Sequence, residues 1–286
     1  MRILVLGVTG MLGSTVFRLL SVDHDVWGTV RSSDKKSYFS TSLQKQIISN
    51  IDVLDQDVLT NVLSSVRPDL IINCVGLIKQ LESANDPLVA LPINAMFTHR
   101  LAKLSGLIGA RLVHISTDCV FSGKKGMYVE QDVSDASDLY GSSKFIGELH
   151  DQKHCITLRT SIIGHELGTN TSLVDWFLSQ DNEVQGFSNA VFSGLPTIEL
   201  AMVIKNYVIP NGHLFGLFHI STDPIDKYSL LKLIADVYKK EISIVKNSEL
   251  KIDRSLDSSY FTEKTGYKAK SWDVLIRNMY QFYLLK

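Results

Sequence analysis

Only three cysteines occur in 286 residues, Cys74, Cys119 and Cys155, an odd number without CxxC spacing. That excludes a disulfide framework and a cysteine zinc site, and leaves three reduced, mostly buried thiols as the expectation. Histidine is sparse and unpatterned too: the eight residues show no HxxxH or HExxH spacing, so no metal is expected. The chain lacks an excess of either charge, with 29 Lys and Arg against 30 Asp and Glu. A formal net charge of -1 without basic or acidic blocks gives no electrostatic support to a nucleic-acid or anionic-membrane partner. No apolar run approaches the ~18 to 20 residues of a membrane span, and the N-terminus reads as a strand rather than a secretion signal. A soluble, cytoplasmic protein is expected. No repeat, low-complexity tract or flexible linker divides it.

What the chain does have is rhythm. Apolar runs rich in β-branched residues recur at Arg2–Gly7, Asp25–Val30, Gln46–Ile51, Leu70–Val75, Arg111–Ser116 and Cys155–Thr160. Between several of them lie stretches with apolar residues three and four apart, such as Leu12–Leu20, Val58–Val66 and Ala95–Leu107. Unbroken strands alternating with helices predict an α/β fold, a doubly wound parallel sheet of the Rossmann type. Residues 1–163 are expected to form this domain and 164–286 a smaller, mixed, mainly substrate-binding lobe. A segment near 197–224 should return to complete the sheet, with "GLFHIS" (Gly216–Ser221) strand-like and Ser229–Lys240 helical.

Directly behind the first strand stands "GVTGMLG", with Gly7, Gly10 and Gly13 three residues apart. At a strand-to-helix turn, Gly7 permits the sharp turn, Gly10 lets the backbone approach a pyrophosphate, and Gly13 lets the helix pack on the strand. The new helix then offers free N–H groups and a positive dipole to the phosphates. A dinucleotide site follows. At the end of the second strand "TVRSSDKK" places Arg31 and Ser32 where a ribose 2′-phosphate would sit, which points to NADPH rather than NAD. The other reading of the same stretch has Asp34 reach an unphosphorylated ribose while Arg31 is an ordinary solvated charge.

"STDCVFSG" ends the fifth strand, and "YGSSK" begins 23 residues after Thr117. On a helix Tyr140 and Lys144 project from one face, and an ammonium beside a phenol favours its anion, giving a proton donor usable near neutral pH. Ser116 and Thr117 end a strand where a hydroxyl could hold a substrate carbonyl. Asn94 is either a water-ordering group behind Lys144 or a satisfied buried amide. His165 and Glu166 read either as lining for a sugar pocket or as a solvated loop.

"GVTGMLG", "STDCVFSG" with "YGSSKFIGE", and "RTSIIG" together resemble the extended short-chain dehydrogenase/reductases, in particular their dTDP-4-dehydrorhamnose reductase branch. "GLFHIS" and "TEKTGYKAKSW" extend the resemblance over nearly the whole chain. The resemblance implies Tyr140 as proton donor, Lys144 on the nicotinamide ribose and Thr117 on the keto oxygen. It further implies Gly7, Thr9, Gly10, Met11, Leu12 and Gly13 at the pyrophosphate, Asp52 and Val53 at the adenine, and Cys74, Val75 and Gly76 along the cofactor groove. Asp118, Cys119 and Ile162 would face the sugar. Members of that branch usually carry Tyr after "STD" and an aromatic in the "RTS" segment, where this chain has Cys119 and Ile162, so the sugar stays open. Cys119 also cannot supply the glutamate that related dehydratases need. The implied activity is NADPH-dependent reduction of the 4-keto group of a nucleotide-linked 6-deoxy sugar, as part of polysaccharide biosynthesis. An epimerase using the same triad with retained NAD, and a non-catalytic NADP-binding regulatory subunit, remain as alternatives. A second copy of the chain is a candidate partner.

Overall fold

The computed structural model describes residues 1–79 and 81–285. In chain order its strands begin with β1 (Arg2–Leu6), β2 (Asp25–Thr29), β3 (Ile47–Ile48), β4 (Leu70–Asn73), β5 (Arg111–Thr117) and β6 (Cys155–Thr160). They continue with β7 (Ile162–Ile163), β8 (Val184–Phe187), β9 (Ala190–Phe192), β10 (Leu195–Pro196), β11 (Gly216–His219), β12 (Ile225–Asp226), β13 (Ile244–Asn247) and β14 (Ile252–Asp253). The helices are α1 (Met11–Leu20), α2 (Thr41–Gln44), α3 (Gln56–Val66), α4 (Pro87–Ala90), α5 (Phe97–Leu107) and α6 (Leu139–Ile146). After them come α7 (Leu173–Leu178), α8 (Thr197–Val203), α9 (Lys227–Tyr238), α10 (Ser259–Thr265) and α11 (Trp272–Leu284).

Seven strands form one sheet in the order β11-β6-β5-β4-β1-β2-β3. Pairings of β1 with β2 and β4, of β2 with β3, and of β4 with β5 are parallel. The expected α/β sheet is present, and the 3-2-1-4-5-6 order is that of dinucleotide-binding folds. The returning strand is β11, at the edge beside β6. The order reverses between β1 and β4, where the register sets Leu6 opposite Asn73. That places the glycine turn and Cys74–Gly76 beyond the carboxyl ends of neighbouring strands, the position where such sheets hold ligands.

By its contacts the chain divides into two compact units. The first comprises Met1–Ser116, Ser137–Leu158 and Pro210–Leu217. Ile3, Leu4, Val5 and Leu6 are fully buried because β1 is paired on both sides and covered on both faces. The buried positions Leu59, Val62, Leu63 and Val66 give α3 its apolar stripe, and they pack with Leu4, Leu6, Phe97, Leu101 and Leu112 in one core. Asp55 starts α3 by accepting from the amides of Asp57 and Val58 at 3.0 and 3.1 Å. The segment expected to be helical, Ala95–Leu107, opens in the last two residues of a π-helical turn, Leu91–Met96, and continues as α5 from Phe97.

The second unit comprises Thr117–Ala136, Arg159–Ile209 and Phe218–Lys286. It is built from small sheets, β10-β7, β12-β9-β14 and β13-β8, together with α7–α11. Its polar centre is Arg159, only 1% exposed. One guanidinium nitrogen lies 2.8 Å from His219 Nε2, and His219 Nδ1 lies 3.0 Å from the Tyr128 carbonyl oxygen. A carbonyl only accepts, so Nδ1 carries the proton and Nε2 accepts from arginine; the ring is neutral. Burial beside Arg159 pushes its pKa down to about 3, in keeping with that. Among the described residues no helix is long and apolar enough to cross a membrane.

The glycine turn has a measurable consequence. Gly7 has φ +80°, and a Cβ on Gly13 would overlap the Gly7 carbonyl oxygen and lie 2.9 Å from its carbon. A Cβ on Gly10 would meet only that oxygen, at 3.4 Å. Gly13→Ala should therefore lower stability by about 1–3 kcal/mol, the cost of overpacking, and Gly10→Ala by less than about 1 kcal/mol. Urea denaturation of the two variants against the parent measures the difference.

Candidate functional site

In the first unit, α1 begins at Gly10 with extended backbone (φ -71°, ψ 159°) and no side chain caps its first amides. Gly10 N–H bonds the Gly7 carbonyl at 3.1 Å, which sets the turn, while Gly7 N–H bonds Thr29 Oγ1 at 3.2 Å. Thr9, Met11, Leu12 and Gly13 thus flank a helix N-terminus that no side chain caps, and a Cβ on Gly10 would meet only the Gly7 carbonyl oxygen, at 3.4 Å. This cradle fits a dinucleotide pyrophosphate.

Arg31 and Ser32 follow β2 and are both exposed. Ser32 Oγ donates to Asp34 Oδ1, and Lys35 Nζ lies 3.8 Å from Asp34 Oδ2. The bond from Ser32, first of all, lowers the Asp34 pKa. Arg31, by contrast, has no ion-pair partner among the described residues. Asp52 is exposed and accepts from Leu54 N–H at 2.9 Å, and Val53 packs its side chain onto the core. Cys74, Val75 and Gly76 leave β4, with Cys74 N–H bonded to the Leu6 carbonyl at 3.2 Å. Burial pushes the Cys74 thiol up to about 12, which suits an inert wall residue.

Asp138 caps α6 by accepting from Gly141 N–H at 2.7 Å, and its other oxygen pairs with Lys79 at 2.6 Å. One turn apart on this helix stand Tyr140 and Lys144. Lys144 is 6% exposed and donates to the Ile115 carbonyl at 2.8 Å. A Cβ placed on Gly76 would come 3.7 Å from its Nζ and 3.4 Å from Asn94 Oδ1. Burial pushes the lysine down to about 8, opposed by the Glu148 carboxylate and by Cys74. At neutral pH the ammonium form still prevails.

Two polar side chains surround this lysine, Glu148, which the sequence reading did not single out, and Asn94, for which it left two readings open. Glu148, 3% exposed, follows Lys144 by four residues and accepts from Ser116 Oγ at 2.6 Å. Ser116 is therefore directed at Glu148, and of the two hydroxyls at the end of β5 only Thr117 stays a candidate for substrate. The i, i+4, i+8 spacing of Tyr140, Lys144 and Glu148 was the available clue. Asn94 sits in the π-helical turn, accepts from Leu77 N–H at 2.9 Å and donates to Ser143 Oγ at 3.1 Å, so it is a satisfied buried amide. A Cβ on Gly147 would overlap its backbone carbonyl oxygen, which is why α6 comes this close.

In the second unit, Thr117 is 9% exposed; its Oγ1 accepts from Cys119 N–H at 3.1 Å and donates to Asp118 Oδ1 at 3.2 Å. Asp118 is buried, which raises its pKa, while Arg254, the Thr117 bond and Lys227 pull it back. Cys119 is half-buried, and Ile162 lies in β7 opposite Leu195. His165 fits neither a pocket wall nor a solvated loop. It is 6% exposed, with Nδ1 2.5 Å from Asp175, Nε2 2.8 Å from Tyr238 Oη, and its ring stacked on Tyr283 at 3.9 Å. Glu166 ties down its own turn by accepting from Thr169, Thr171 and Ser172. Among the described residues no three metal-ligating side chains cluster.

The Glu148–Lys144 pair yields a direct test. In Glu148→Gln the amide can still accept from Ser116, but the counter-charge is gone, so the Lys144 pKa should fall below its parental value of about 8. NMR titration of the labelled lysine side chain measures this; an unmoved midpoint would mean that the carboxylate does not govern the ammonium.

Against known proteins, the family described as the RmlD substrate binding domain matches residues 1–281. The chain is 28% identical over 252 residues to methionine adenosyltransferase 2 subunit beta of Danio rerio, covering 83% of this chain and 74% of that protein. It is 25% identical over 232 residues to dTDP-4-dehydrorhamnose reductase of Aggregatibacter actinomycetemcomitans, covering 78% and 74%. Among solved structures, dTDP-4-dehydrorhamnose reductase from Bacillus anthracis in complex with NADP superposes with a TM-score of 0.81 at 22% identity, covering 98% of this chain and 99% of that one. That last likeness is one of fold. The match across residues 1–281 settles membership: the chain belongs to the RmlD substrate-binding domain family.

Proposed function

We propose that this protein is an NADPH-dependent reductase of the 4-keto group of a nucleotide-linked 6-deoxy sugar. The observation that carries the reading is the buried Lys144 ammonium, held on the Ile115 carbonyl one helical turn from Tyr140 and in the same unit as the glycine turn. An ammonium is costly to bury, and a chain that keeps one has a use for it. The dTDP-4-dehydrorhamnose reductase relatives support the same reaction class.

When bound, NADPH supplies a hydride to the keto carbon. The amides at the start of α1, with Gly7, Thr9, Gly10, Met11, Leu12 and Gly13, hold its pyrophosphate. Arg31 and Ser32 take the 2′-phosphate, Asp52 and Val53 the adenine, and Cys74–Gly76 wall the groove. Tyr140 delivers a proton to the developing alkoxide, its phenol made more acidic by Lys144, which also grips the ribose hydroxyls. Thr117 donates to the keto oxygen and stabilises the charge that develops there. Asp118, Cys119 and Ile162 face the sugar, and their small or aliphatic character at the last two positions selects a sugar other than the rhamnose precursor.

A second reading has a specific observation in its favour, the likeness to methionine adenosyltransferase 2 subunit beta. On that reading the chain is a regulatory subunit that keeps the NADP fold without turnover. The presence of Thr117, Tyr140 and Lys144 together favours catalysis, because sensing a dinucleotide does not require all three.

Incubating the protein with NADPH and a panel of keto-sugar nucleotides, with mass spectrometry of the products, separates the two; NADP binding without any reduced product selects the regulatory reading. On the true substrate Tyr140→Phe should lower kcat by about 10²–10⁴-fold with NADPH affinity nearly unchanged, since only the proton is lost. Lys144→Met should weaken both turnover and cofactor binding. NADPH should bind more tightly than NADH by roughly 1–3 kcal/mol, and Arg31→Ala should remove most of that difference in calorimetric titrations. Equal affinities in the parent would reassign the cofactor.

A further inference from the structure

The stretch after β2 that carries Arg31 and Ser32 has little of its own to hold it in place. Ser33–Tyr38 form a 3₁₀-helix without a buried residue, so it lacks the apolar face that normally docks a helix. Its own bonds are local: Lys35 N–H donates to the Ser32 carbonyl at 3.3 Å, and Ser37 Oγ to the Asp34 carbonyl at 2.6 Å. Among the described residues a single hydrogen bond joins Ser32–Tyr38 to another helix or strand, and it comes from α1. There Arg18 Nη2 donates to the Tyr38 carbonyl at 2.7 Å, capping the 3₁₀-helix from outside. The same guanidinium lies 5.1 Å from the centroid of the Phe39 ring. Phe39 is 3% exposed, meets Phe17 of α1 edge-on at 5.5 Å, and its carbonyl accepts from Gln44 of α2 at 2.7 Å. For stability alone, arginine at 18 is a poor choice. Its Nε is buried without a hydrogen-bond partner, and burial lowers its pKa with no carboxylate to oppose the shift. An apolar side chain there would not carry the cost of that unpaired donor.

We propose that Arg18 is a positioning residue for cofactor choice: by holding the Tyr38 carbonyl it fixes the segment whose Arg31 and Ser32 take the ribose 2′-phosphate. The inference rests on the reading of those two residues as the 2′-phosphate site, and adds what orders them. A segment that has to be ordered on binding subtracts that cost from the affinity, and one already held does not. Here the sheet pins one end, with Val30 N–H on the Ile48 carbonyl at 3.0 Å, and Arg18 pins the other. Arg18 also belongs to the helix whose first turn is read as the pyrophosphate cradle, so one rigid element sets the spacing of both phosphate sites. A cofactor without a 2′-phosphate has no use for Arg31. Arg18 therefore matters to NADPH and hardly to NADH.

The test is calorimetric titration of the full chain with NADPH and, separately, with NADH. R18M should bind NADPH about 10-fold more weakly than the parent and NADH within about 2-fold of it. R18K, which can still donate to the Tyr38 carbonyl, should recover most of the NADPH affinity. Because Arg18 acts through Arg31, R31A and the double variant R18M/R31A should bind NADPH alike, whereas independent contributions would add. Should R18M not fold, F39L, which removes the ring beneath the guanidinium, carries the same comparison of the two cofactors. Unchanged NADPH affinity in R18M, equal weakening of both cofactors, or additive losses in the double variant overturns the positioning role. The cofactor reading fails separately: a parent that binds NADPH and NADH alike removes the 2′-phosphate site and the role with it. A parent that discriminates, with an R18M that discriminates as well, removes the role of Arg18 and leaves the site.

Discussion

Burying the Lys144 ammonium is the constraint around which the first unit is arranged. A charge at 6% exposure has to be met by acceptors, and the Ile115 carbonyl at 2.8 Å meets one of its donors. Glu148 contributes the compensating charge from the same segment, but a buried carboxylate has its own demand, answered by Ser116 at 2.6 Å. The Asn94 amide ties the turn after β4 to α6 through Leu77 and Ser143. Gly147 allows the backbone of that π-helical turn to approach α6 as closely as it does. Each of these contacts would be expendable in a fold that buried an apolar side chain at position 144. Together they hold an ammonium that burial lowers to about 8, so that it stays charged at neutral pH.

The second unit solves a comparable problem differently. Arg159 is almost wholly buried in β6, with a neutral histidine among its acceptors and the Phe121 ring 4.9 Å away. His219 is held in the accepting tautomer by the Tyr128 carbonyl, and its backbone amide bonds Glu130 at 2.7 Å. Phe121 and Tyr128 stack at 4.0 Å with Leu256 and Val120 in a small core, so the polar network and the apolar one share residues. Arg159 needs no external anion because its acceptors are internal.

The strands of the large sheet were legible because a parallel strand buried on both faces reads as a largely apolar run instead of an alternation, and β1, β2, β4, β5 and β6 fall within a residue or two of the runs that announced them. At the edge the same reasoning overreaches. The run Gln46–Ile51 narrows to Ile47–Ile48, since β3 has a neighbour on one side only and Asn50 turns the chain with φ 61°. The glycine turn was legible for a steric reason: Gly7 has φ +80°, and a Cβ on Gly13 would overlap the Gly7 carbonyl oxygen. The two-residue strands β7, β10, β12 and β14 left no periodicity to read. Nor could a sequence distinguish His165 in a loop from His165 clamped between Asp175 and Tyr238, because those partners lie 10 and 73 residues away.

The residues that escaped sequence reasoning share a physical character. Glu148 and Lys227 are polar side chains whose meaning lies in what they do or do not touch, and contact is a property of tertiary structure; Asn94 was named from the sequence, and its contacts select the satisfied-amide reading of the two left open. Glu148 and Asn94 are bonded, and so stand behind the catalytic assignments as supports. Lys227 is held over an aromatic face with no bonded acceptor among the described residues. A buried charge calls for compensating groups close by, and the chain meets that demand at Lys144 with the Ile115 carbonyl and the Glu148 carboxylate, and at Arg159 with an imidazole held in its accepting tautomer.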